Sequence, residues 1–304
     1  MRRFCIVALL ALLPLLAQPI GFRGRWNLTI SGEQLTYPAW LEVIRNEQGP
    51  KIRMVGKSGS VKEIDDFHFE GDRLTFGAIE NIGGRKRVNY ELRPRAGALT
   101  GTARLPDGTA LSVRGTLAPA LNRPAPKGWA RPVPLLNGRD LGGWEPIGPG
   151  QSRWKAEGPV LVNSAKGANL RSLRTFEDFK LHLEFLCPAG SNSGIYLRGR
   201  YEVQIEDGSS QGRPINMLGS IYGFLGPKTP PQPRPGEWRT LDVELVGRTV
   251  TVVLDGQTLI DAEEIPGTTG GALDSNEHLP GPFLIQGDHG PVEFRNILVS
   301  PAIR

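Results

Sequence analysis

Short runs that alternate between apolar and polar residues recur along most of this chain and constrain its fold more than any other feature. Between residues 25 and 118 they include RWNLTI, AWLEVIRN, RLTFGAI and RVNYELRP, and after residue 135 they include KLHLEFLC, TLDVELVG and VEFRNILVS. A period of two is typical of strands that bury one face. Because no window of about 12 residues has a period of 3.6, the sequence predicts an all-β protein with few, short helices.

A Pro-rich segment, ALNRPAPKGWARPVP at 119–133, separates the two sets of runs and has the composition of a semi-rigid linker. We therefore predict a smaller antiparallel β-barrel or sandwich domain over residues 22–118 and a larger antiparallel sandwich over 134–304. The start of the first domain, Gly24-Arg25-Trp26, resembles that of small lipocalin-like barrels, in which the Trp closes one end.

The N-terminus has two basic residues, Arg2 and Arg3, followed by an apolar run to Ala17. This pattern predicts a signal peptide over residues 1–17, with a membrane anchor as the alternative; the run is short for a membrane span. We expect a secreted or periplasmic protein with no stable membrane anchor after cleavage. Cys187 would then be the only cysteine, which excludes an intrachain disulfide and a cysteine-based metal cluster.

The formal net charge is +5 and the pI is about 9.4, but the Lys and Arg residues are dispersed among acidic residues. Nucleic-acid binding requires a basic patch or stripe, and no basic run is present. We therefore do not expect a nucleic-acid partner.

Several segments after the linker resemble, in the same order, motifs of the 3-keto-disaccharide hydrolase family: LLNGRDLGGWEP, SNSGIYLRGRYEVQIED, GSIYGFLGP and PGPFLIQGDHGPVEFRNILVSP. The resemblance covers residues 135–303 and does not extend to the first domain. It implies a concanavalin A-like jelly-roll sandwich, typically exported by bacteria that degrade polysaccharides or glycosides. It also implies cleavage of disaccharides in which one ring is oxidised at C3, so that a sugar or glycoside is the expected substrate.

Residues 195–206 alternate strictly and predict one strand, whose even-numbered face is polar: Tyr196, Arg198, Arg200, Glu202, Gln204 and Glu206. We expect this face to form the floor of a sugar-binding groove. At about 3.3 Å per residue, side chains four positions apart are about 13 Å from each other. The two carboxyl groups of a glycosidase are at most about 9.5 Å apart, so Glu202 and Glu206 are not such a pair. A second group must come from elsewhere, and the QGDHG turn with Asp288 and His289 is the best candidate.

A 3-keto ring has an acidic C2 hydrogen, so the glycosidic bond can leave by elimination, followed by addition of water. We predict Glu202 as the base, His289 as a further catalytic residue and Arg198 as the group that stabilises the enolate. A divalent cation held by Glu202, Gln204 and His289 is an alternative to Arg198. Arg198 and Glu202 could instead form ordinary ion pairs across the sheet.

Six residues are predicted to bind the substrate: Gln204, Tyr196, Tyr222, Asp207, Trp238 and Asp288. Three of these have structural alternatives, namely turn capping for Asp207 and core packing for Trp238 and Tyr222. The rival function is a carbohydrate-binding module without activity, since jelly rolls serve both purposes. The charged face and the 7% aromatic content favour an enzyme.

Overall fold

A computed structural model describes residues 21–304, and strands with the turns between them account for most of this part. The only helix within it is a 3₁₀ turn, Pro214–Asn216. The prediction of an all-β protein is therefore confirmed. The signal peptide predicted over residues 1–17 lies outside the described residues. None of the helices in the described part is long and apolar enough to span a membrane.

The first nine strands form one sheet in the order β4-β3-β2-β1-β9-β8-β7-β6-β5. Side chains from the two end strands, such as Ile64 and Phe67, pack in a single core. The sheet therefore curls around that core, and we call residues 22–118 the barrel. Its strands are β1 (Gly24–Ser31), β2 (Thr36–Asn46), β3 (Gly49–Val55), β4 (Lys62–Ile64), β5 (Phe67–Glu70), β6 (Arg73–Asn81), β7 (Arg85–Arg95), β8 (Ala98–Arg104) and β9 (Ala110–Leu117).

The remaining strands form two sheets that face each other across a second core, which we call the sandwich. They are β10 (Gly128–Trp129), β11 (Val133–Pro134), β12 (Trp144–Ile147), β13 (Trp154–Glu157), β14 (Val160–Asn163), β15 (Asn169–Phe176), β16 (Phe179–Leu186), β17 (Asn192–Leu197), β18 (Tyr201–Glu206), β19 (Trp238–Val246), β20 (Thr249–Leu254), β21 (Gln257–Glu264), β22 (Gly281–Ile285) and β23 (Val292–Ile303).

The larger sheet of the sandwich has the order β13-β14-β23-β16-β19-β20-β21, and β10 and β11 also pair with β23. The smaller sheet has the order β12-β15-β22-β17-β18. In β16 and β19 every second residue is buried, as the alternation predicts. These residues and the inward side chains of the smaller sheet make one core, so the unit is an antiparallel sandwich of the concanavalin A-like kind.

Part of the segment predicted as a linker belongs to the sandwich. Gly128 and Trp129 pair with Ile303 and Ala302, and Val133 pairs with Val299. The prediction of a linker over 119–133 is therefore wrong for its second half, because Pro-rich segments can still pair at an edge through their remaining N–H groups.

The single strand predicted over residues 195–206 is a hairpin instead. Strand β17 ends at Leu197, the chain reverses at Arg198 and Gly199, and β18 begins at Tyr201. Both reversing residues have positive φ, 53° and 69°, as a type I′ turn requires. The hairpin places Tyr196 directly opposite Glu202, so two residues of the predicted polar face become cross-strand neighbours.

The barrel packs against the sandwich through an apolar cluster and a buried polar contact. Trp40 and Phe224 meet edge to face with ring centroids 5.0 Å apart. Asn27 donates a hydrogen bond of 2.7 Å from Nδ2 to Oε2 of Glu277, and both residues are buried. The contact brings barrel loops next to the β17–β18 hairpin.

Candidate functional site

A polar pocket of about 330 Å³ lies where the barrel meets the smaller sheet of the sandwich. Its volume is at the low end of the range typical of small-ligand sites. The residues that line it are Ser58, Gly59, Asn81, Asn169, Asn192, Tyr196, Glu202, Gln204, Tyr222, Gly270, Gly271, Gln286, Asp288 and His289.

Glu202 lies in strand β18 and is 3% exposed. Its diagonal neighbour across the hairpin, Gly194, must be small: an added Cβ there would lie 2.5 Å from Glu202 Oε1. Burial raises the pKa of the Glu202 carboxyl from 4.5 to about 8, because the charged form loses its hydration, although the nearby Tyr196 hydroxyl opposes the shift. Glu202 therefore gains or loses its proton close to neutral pH, as a general acid or base must.

The Tyr196 hydroxyl has two possible acceptors, and which of them receives its proton depends on whether Glu202 is ionised or protonated. The Tyr196 hydroxyl lies 3.0 Å from Glu202 Oε2 and 2.8 Å from the carbonyl oxygen of Gly270, and it accepts a hydrogen bond of 3.0 Å from Gln286 Nε2. A phenol has one proton and can donate to only one of the two oxygens. If it donates to Gly270, a protonated Glu202 can donate to the phenol, and every contact is satisfied.

His289 and Asp288 form a second titratable pair at the pocket. The Nδ1 atom of His289 lies 2.7 Å from Oδ1 of Asp288, and both side chains are about half exposed. This hydrogen bond to the Asp288 carboxylate raises the pKa of the His289 imidazole above its usual value. The bond also fixes the ring and leaves Nε2 free, which suits a residue that delivers or accepts a proton.

Side-chain amides supply the remaining polar groups of the pocket. Gln286 is 8% exposed, and within residues 21–304 its buried Oε1 has no hydrogen-bond partner. Asn169 accepts a hydrogen bond of 2.9 Å from the backbone of Gly287 at its Oδ1, which fixes the side chain. A buried acceptor without a partner costs free energy unless a ligand donates to it, so the pocket suits a ligand with hydroxyl groups.

Six residues predicted from the sequence line this pocket: Tyr196, Glu202, Gln204, Tyr222, Asp288 and His289. Arg198 does not. It is fully buried in the hairpin turn, where its Nη2 donates to the carbonyl oxygen of Gly247 at 2.6 Å and to the Tyr201 hydroxyl at 3.2 Å. The prediction that Arg198 faces the substrate is therefore wrong, because the chain reverses at this residue and turns its side chain away from the pocket.

Asp207 and Trp238 also lie outside the pocket. Asp207 caps a turn, since its Oδ1 accepts a hydrogen bond of 2.9 Å from the backbone N–H of Ser209. Trp238 stacks under the guanidinium of Arg295, whose Cζ is 4.0 Å from the ring centroid. Neither residue lines the candidate pocket, where we expected both to bind the substrate, and the turn-capping alternative for Asp207 describes what the structure contains.

Sequence reasoning missed the pocket residues outside the polar strand and the QGDHG turn. Asn169, Asn192, Gly270 and Gly271 come from other parts of the sandwich, and Ser58, Gly59 and Asn81 come from the barrel. Gln286 had a signal, because it opens the turn that contains Asp288. The barrel residues had none, since the resemblance to a known family begins only at residue 135.

The pocket does not have the ligands of an ordinary metal site. Within residues 21–304 no three His, Cys, Asp or Glu side chains come together as a metal-ion ligand set. The predicted ligands Glu202, Gln204 and His289 line the pocket together with Asp288, whose carboxylate is engaged by His289, and these side chains do not form a shared ligand set. Hard divalent cations prefer several carboxylate or carbonyl oxygens, so these residues do not fit a bound cation, and we assign no step to one.

A larger groove of about 500 Å³ lies on the outer face of the larger sheet, where His182 Nδ1 is 2.8 Å from Asp242 Oδ1. Both side chains are more than a third exposed. The groove lacks a buried titratable group among its lining residues, whereas the smaller pocket contains Glu202. Perturbed titratable groups concentrate at functional sites, so the smaller pocket is the better candidate.

A sequence model of the family described as the 3-keto-alpha-glucoside-1,2-lyase-like domain matches residues 131–300. This is more than half of the chain and nearly all of the sandwich. No curated protein matches the chain.

Among solved structures, the chain is similar to two proteins from Parabacteroides distasonis that are named provisionally as glycosyl hydrolases. One is 27% identical, with a TM-score of 0.47, over 59% of this chain and 92% of that chain. The other is 24% identical, with a TM-score of 0.43, over 57% and 98%. A carbohydrate-binding module from Bacillus subtilis is 16% identical, with a TM-score of 0.34, over 51% and 93%. Likenesses at TM-scores below 0.5 do not separate an enzyme from a binding module.

Proposed function

Because the chain belongs to the 3-keto-alpha-glucoside-1,2-lyase-like family, we propose that it cleaves the glycosidic bond of 3-keto-glycosides or 3-keto-disaccharides. The observation that carries the proposal is Glu202, a buried carboxyl group with a pKa of about 8 in a polar pocket that also contains the His289–Asp288 pair. Such a carboxyl group can exchange a proton with a weak carbon acid near neutral pH.

In the proposed reaction, ionised Glu202 removes the proton from C2, which the C3 carbonyl makes acidic. The electron pair forms the C1–C2 double bond, the C1–O bond breaks, and protonated His289 gives its proton to the departing oxygen. The products are an alcohol and a 2-hydroxy enone of the sugar. Addition of water to the enone at C1 and C2 completes a net hydrolysis.

Donors from the protein stabilise the negative charge that develops on the C3 oxygen. Because Arg198 is buried elsewhere, we assign the stabilisation of this charge to side-chain amides at the pocket. The Nδ2 groups of Asn169 and Asn192 are the best placed, because Asn169 is fixed through its Oδ1 and both residues line the same cavity as Glu202. Preorganised donors of this kind can each lower a barrier by about 3 kcal/mol.

The test is an incubation of the protein with 3-keto-glucosides, followed by mass spectrometry of the products. The expected result is release of the alcohol together with the enone or 3-keto-glucose. A parallel incubation with a chelator examines the divalent cation, and unchanged turnover is the expected result. Binding without any product would favour the rival, a carbohydrate-binding module.

The Glu202→Gln variant keeps the shape of the side chain but removes the proton acceptor, so turnover should fall by about 10²- to 10⁴-fold while binding changes little. Glu206→Gln is the matched control. Glu206 is on the same strand and 8% exposed, but it accepts a hydrogen bond from the backbone of Leu218 and does not line the pocket. Equal loss of turnover in both variants would contradict the assignment of Glu202 as the base.

We also propose that the reaction takes place outside the cytoplasm. Arg2, Arg3 and the apolar run that follows support this part of the proposal. N-terminal sequencing of the protein isolated from cells should find a start near Gln18, and an intact Met1 on exported protein would contradict it.

A further inference from the structure

Three residues that line the pocket belong to the barrel. Ser58 and Gly59 lie in the loop between β3 and β4, residues 56–61, which we call the barrel loop, and Asn81 is the last residue of β6. A substrate in the pocket would therefore touch both units of the protein.

The barrel holds this loop in a fixed position. The backbone N–H of Lys57 donates a hydrogen bond of 3.0 Å to Oε2 of Glu80, a residue that is only 2% exposed. The hydroxyl of Tyr90 donates to the other oxygen of the same carboxyl group. A Cβ added at Gly56 would come within 2.5 Å of Glu80 Oε2, so the loop fits closely over this side chain.

The sandwich holds the same loop from the other side. The backbone N–H of Gly271 donates a hydrogen bond of 2.9 Å to the carbonyl oxygen of Lys57. A Cβ added at Gly270 would lie 2.5 Å from the backbone N and O atoms of Gly59, so the two backbones are in direct contact. Gly270 also lies 2.8 Å from the hydroxyl of Tyr196, which contacts Glu202. The position of the barrel loop is thus linked by direct contacts to the proposed base.

The polar groups that remain free at the pocket come from both units. On the barrel side, Asn81 Oδ1 accepts a hydrogen bond of 3.3 Å from Gly84, and its Nδ2 has no acceptor among residues 21–304. On the sandwich side, the buried Oε1 of Gln286 has no donor in the same range. One side therefore offers a donor and the other an acceptor, as a ligand with several hydroxyl groups requires.

We propose that Asn81 and Ser58 are specificity-determining residues that bind hydroxyl groups of the sugar, so that the barrel forms one wall of the active site. This inference rests on the proposed function, in which the pocket takes a 3-keto-glycoside. The barrel loop then selects the ligand directly.

The test uses the full chain with the substitutions Asn81→Ala and Ser58→Ala. Each should raise KM for 3-keto-glucosides by about threefold to tenfold, the effect of one lost hydrogen bond, and should change kcat by less than about twofold. Asn89→Ala is the matched control, because Asn89 is also an exposed barrel asparagine but lies in a different groove. It should leave both constants unchanged.

Calorimetric titration of the same glucoside into each protein separates this inference from the proposed reaction. Binding without cleavage by the unsubstituted protein would contradict the reaction alone, and weaker binding by Asn81→Ala and Ser58→Ala would still support the barrel wall. If both variants bind the glucoside as tightly as the unsubstituted protein does, the barrel does not form a wall of the site, and the proposed reaction is unaffected. A protein that binds no glucoside would overturn both.

Discussion

The substitution Glu202→Gln should make the protein more stable than the original chain at alkaline pH, by an amount that follows from the pKa of Glu202. Burial raises this pKa from 4.5 to about 8. Between these values the folded protein keeps a proton that the unfolded chain has lost, so the free energy of unfolding of the original protein falls as pH rises. The stabilising contribution is complete below pH 4.5 and is lost as pH rises through about 8.

The magnitude is about 1.4 kcal/mol for each pH unit. Between pH 5 and pH 8 the original protein should therefore lose about 4 kcal/mol of stability relative to Glu202→Gln, which does not titrate. This is a large fraction of the total stability of a typical protein, about 5 to 15 kcal/mol. The measurement is urea unfolding of both proteins at pH 5, 6, 7 and 8, with the difference in free energy of unfolding plotted against pH.

Glu184→Gln provides the control for this experiment. Hydrogen bonds from Asn296 and Arg295 lower the pKa of Glu184, so this carboxyl group is ionised in the folded protein throughout pH 5 to 8 and mostly ionised in the unfolded chain. The difference between Glu184→Gln and the original protein should be constant over that range. If the difference for Glu202→Gln is equally constant, Glu202 has an ordinary pKa and the case for it as a base near neutral pH fails.

Three further outcomes follow from the site and its surroundings. His289→Gln should lower kcat/KM by about 10²-fold or more. The fall of kcat/KM at alkaline pH should disappear, so that kcat/KM only rises, near pH 8, as Glu202 loses its proton. A bell-shaped pH profile in the variant would contradict the role of His289 as the acid. Arg198→Met should lower the free energy of unfolding by about 1 to 3 kcal/mol but leave kcat/KM of the folded protein within about twofold. A larger loss of activity would indicate that Arg198 acts in the site. Gly270→Ala should raise KM and destabilise by about 1 to 3 kcal/mol, whereas Gly128→Ala, whose added Cβ would meet nothing closer than 3.9 Å, should be neutral, as thermal unfolding can show.

The period of two in the sequence was sufficient to predict the all-β fold and to put Tyr196, Glu202 and Gln204 on one face, but only the hairpin makes Tyr196 and Glu202 neighbours. The same period gave a wrong orientation for Arg198, because the alternation continues through the hairpin. The turn contains one charged residue and one glycine, and the residues on either side of them alternate as in a strand. An Asn-Gly or Asp-Gly pair between alternating apolar residues is the usual hairpin signal, whereas this turn has Arg-Gly. Positive φ is uncommon for a residue other than glycine, so Arg198 does not indicate a turn in the sequence.

The barrel wall could not be predicted from the sequence for a different reason. Lys57 and Gly271 are joined by a backbone hydrogen bond, but they are far apart in the chain, and neither belongs to a motif with a chemical function. A sequence feature connected with this wall is the absence of a side chain at Gly223, Gly267 and Gly270. At each of them a barrel atom occupies the space that a Cβ would need. Such space is visible only when both units are in place.

The surroundings of Glu202 favour an enzyme over a binding module on energetic grounds. A binding module gains nothing from a buried carboxyl group, because an amide such as Gln204 would hold a hydroxyl group without a charge to desolvate. Sugar-binding modules also rely on flat aromatic surfaces, and the only aromatic residues that line the pocket within residues 21–304 are Tyr196 and Tyr222. Tyr196 is 2% exposed and its hydroxyl is engaged by Gly270 and Gln286, so its ring does not offer such a surface. The cost of burying Glu202 is explained if its proton is transferred during a reaction.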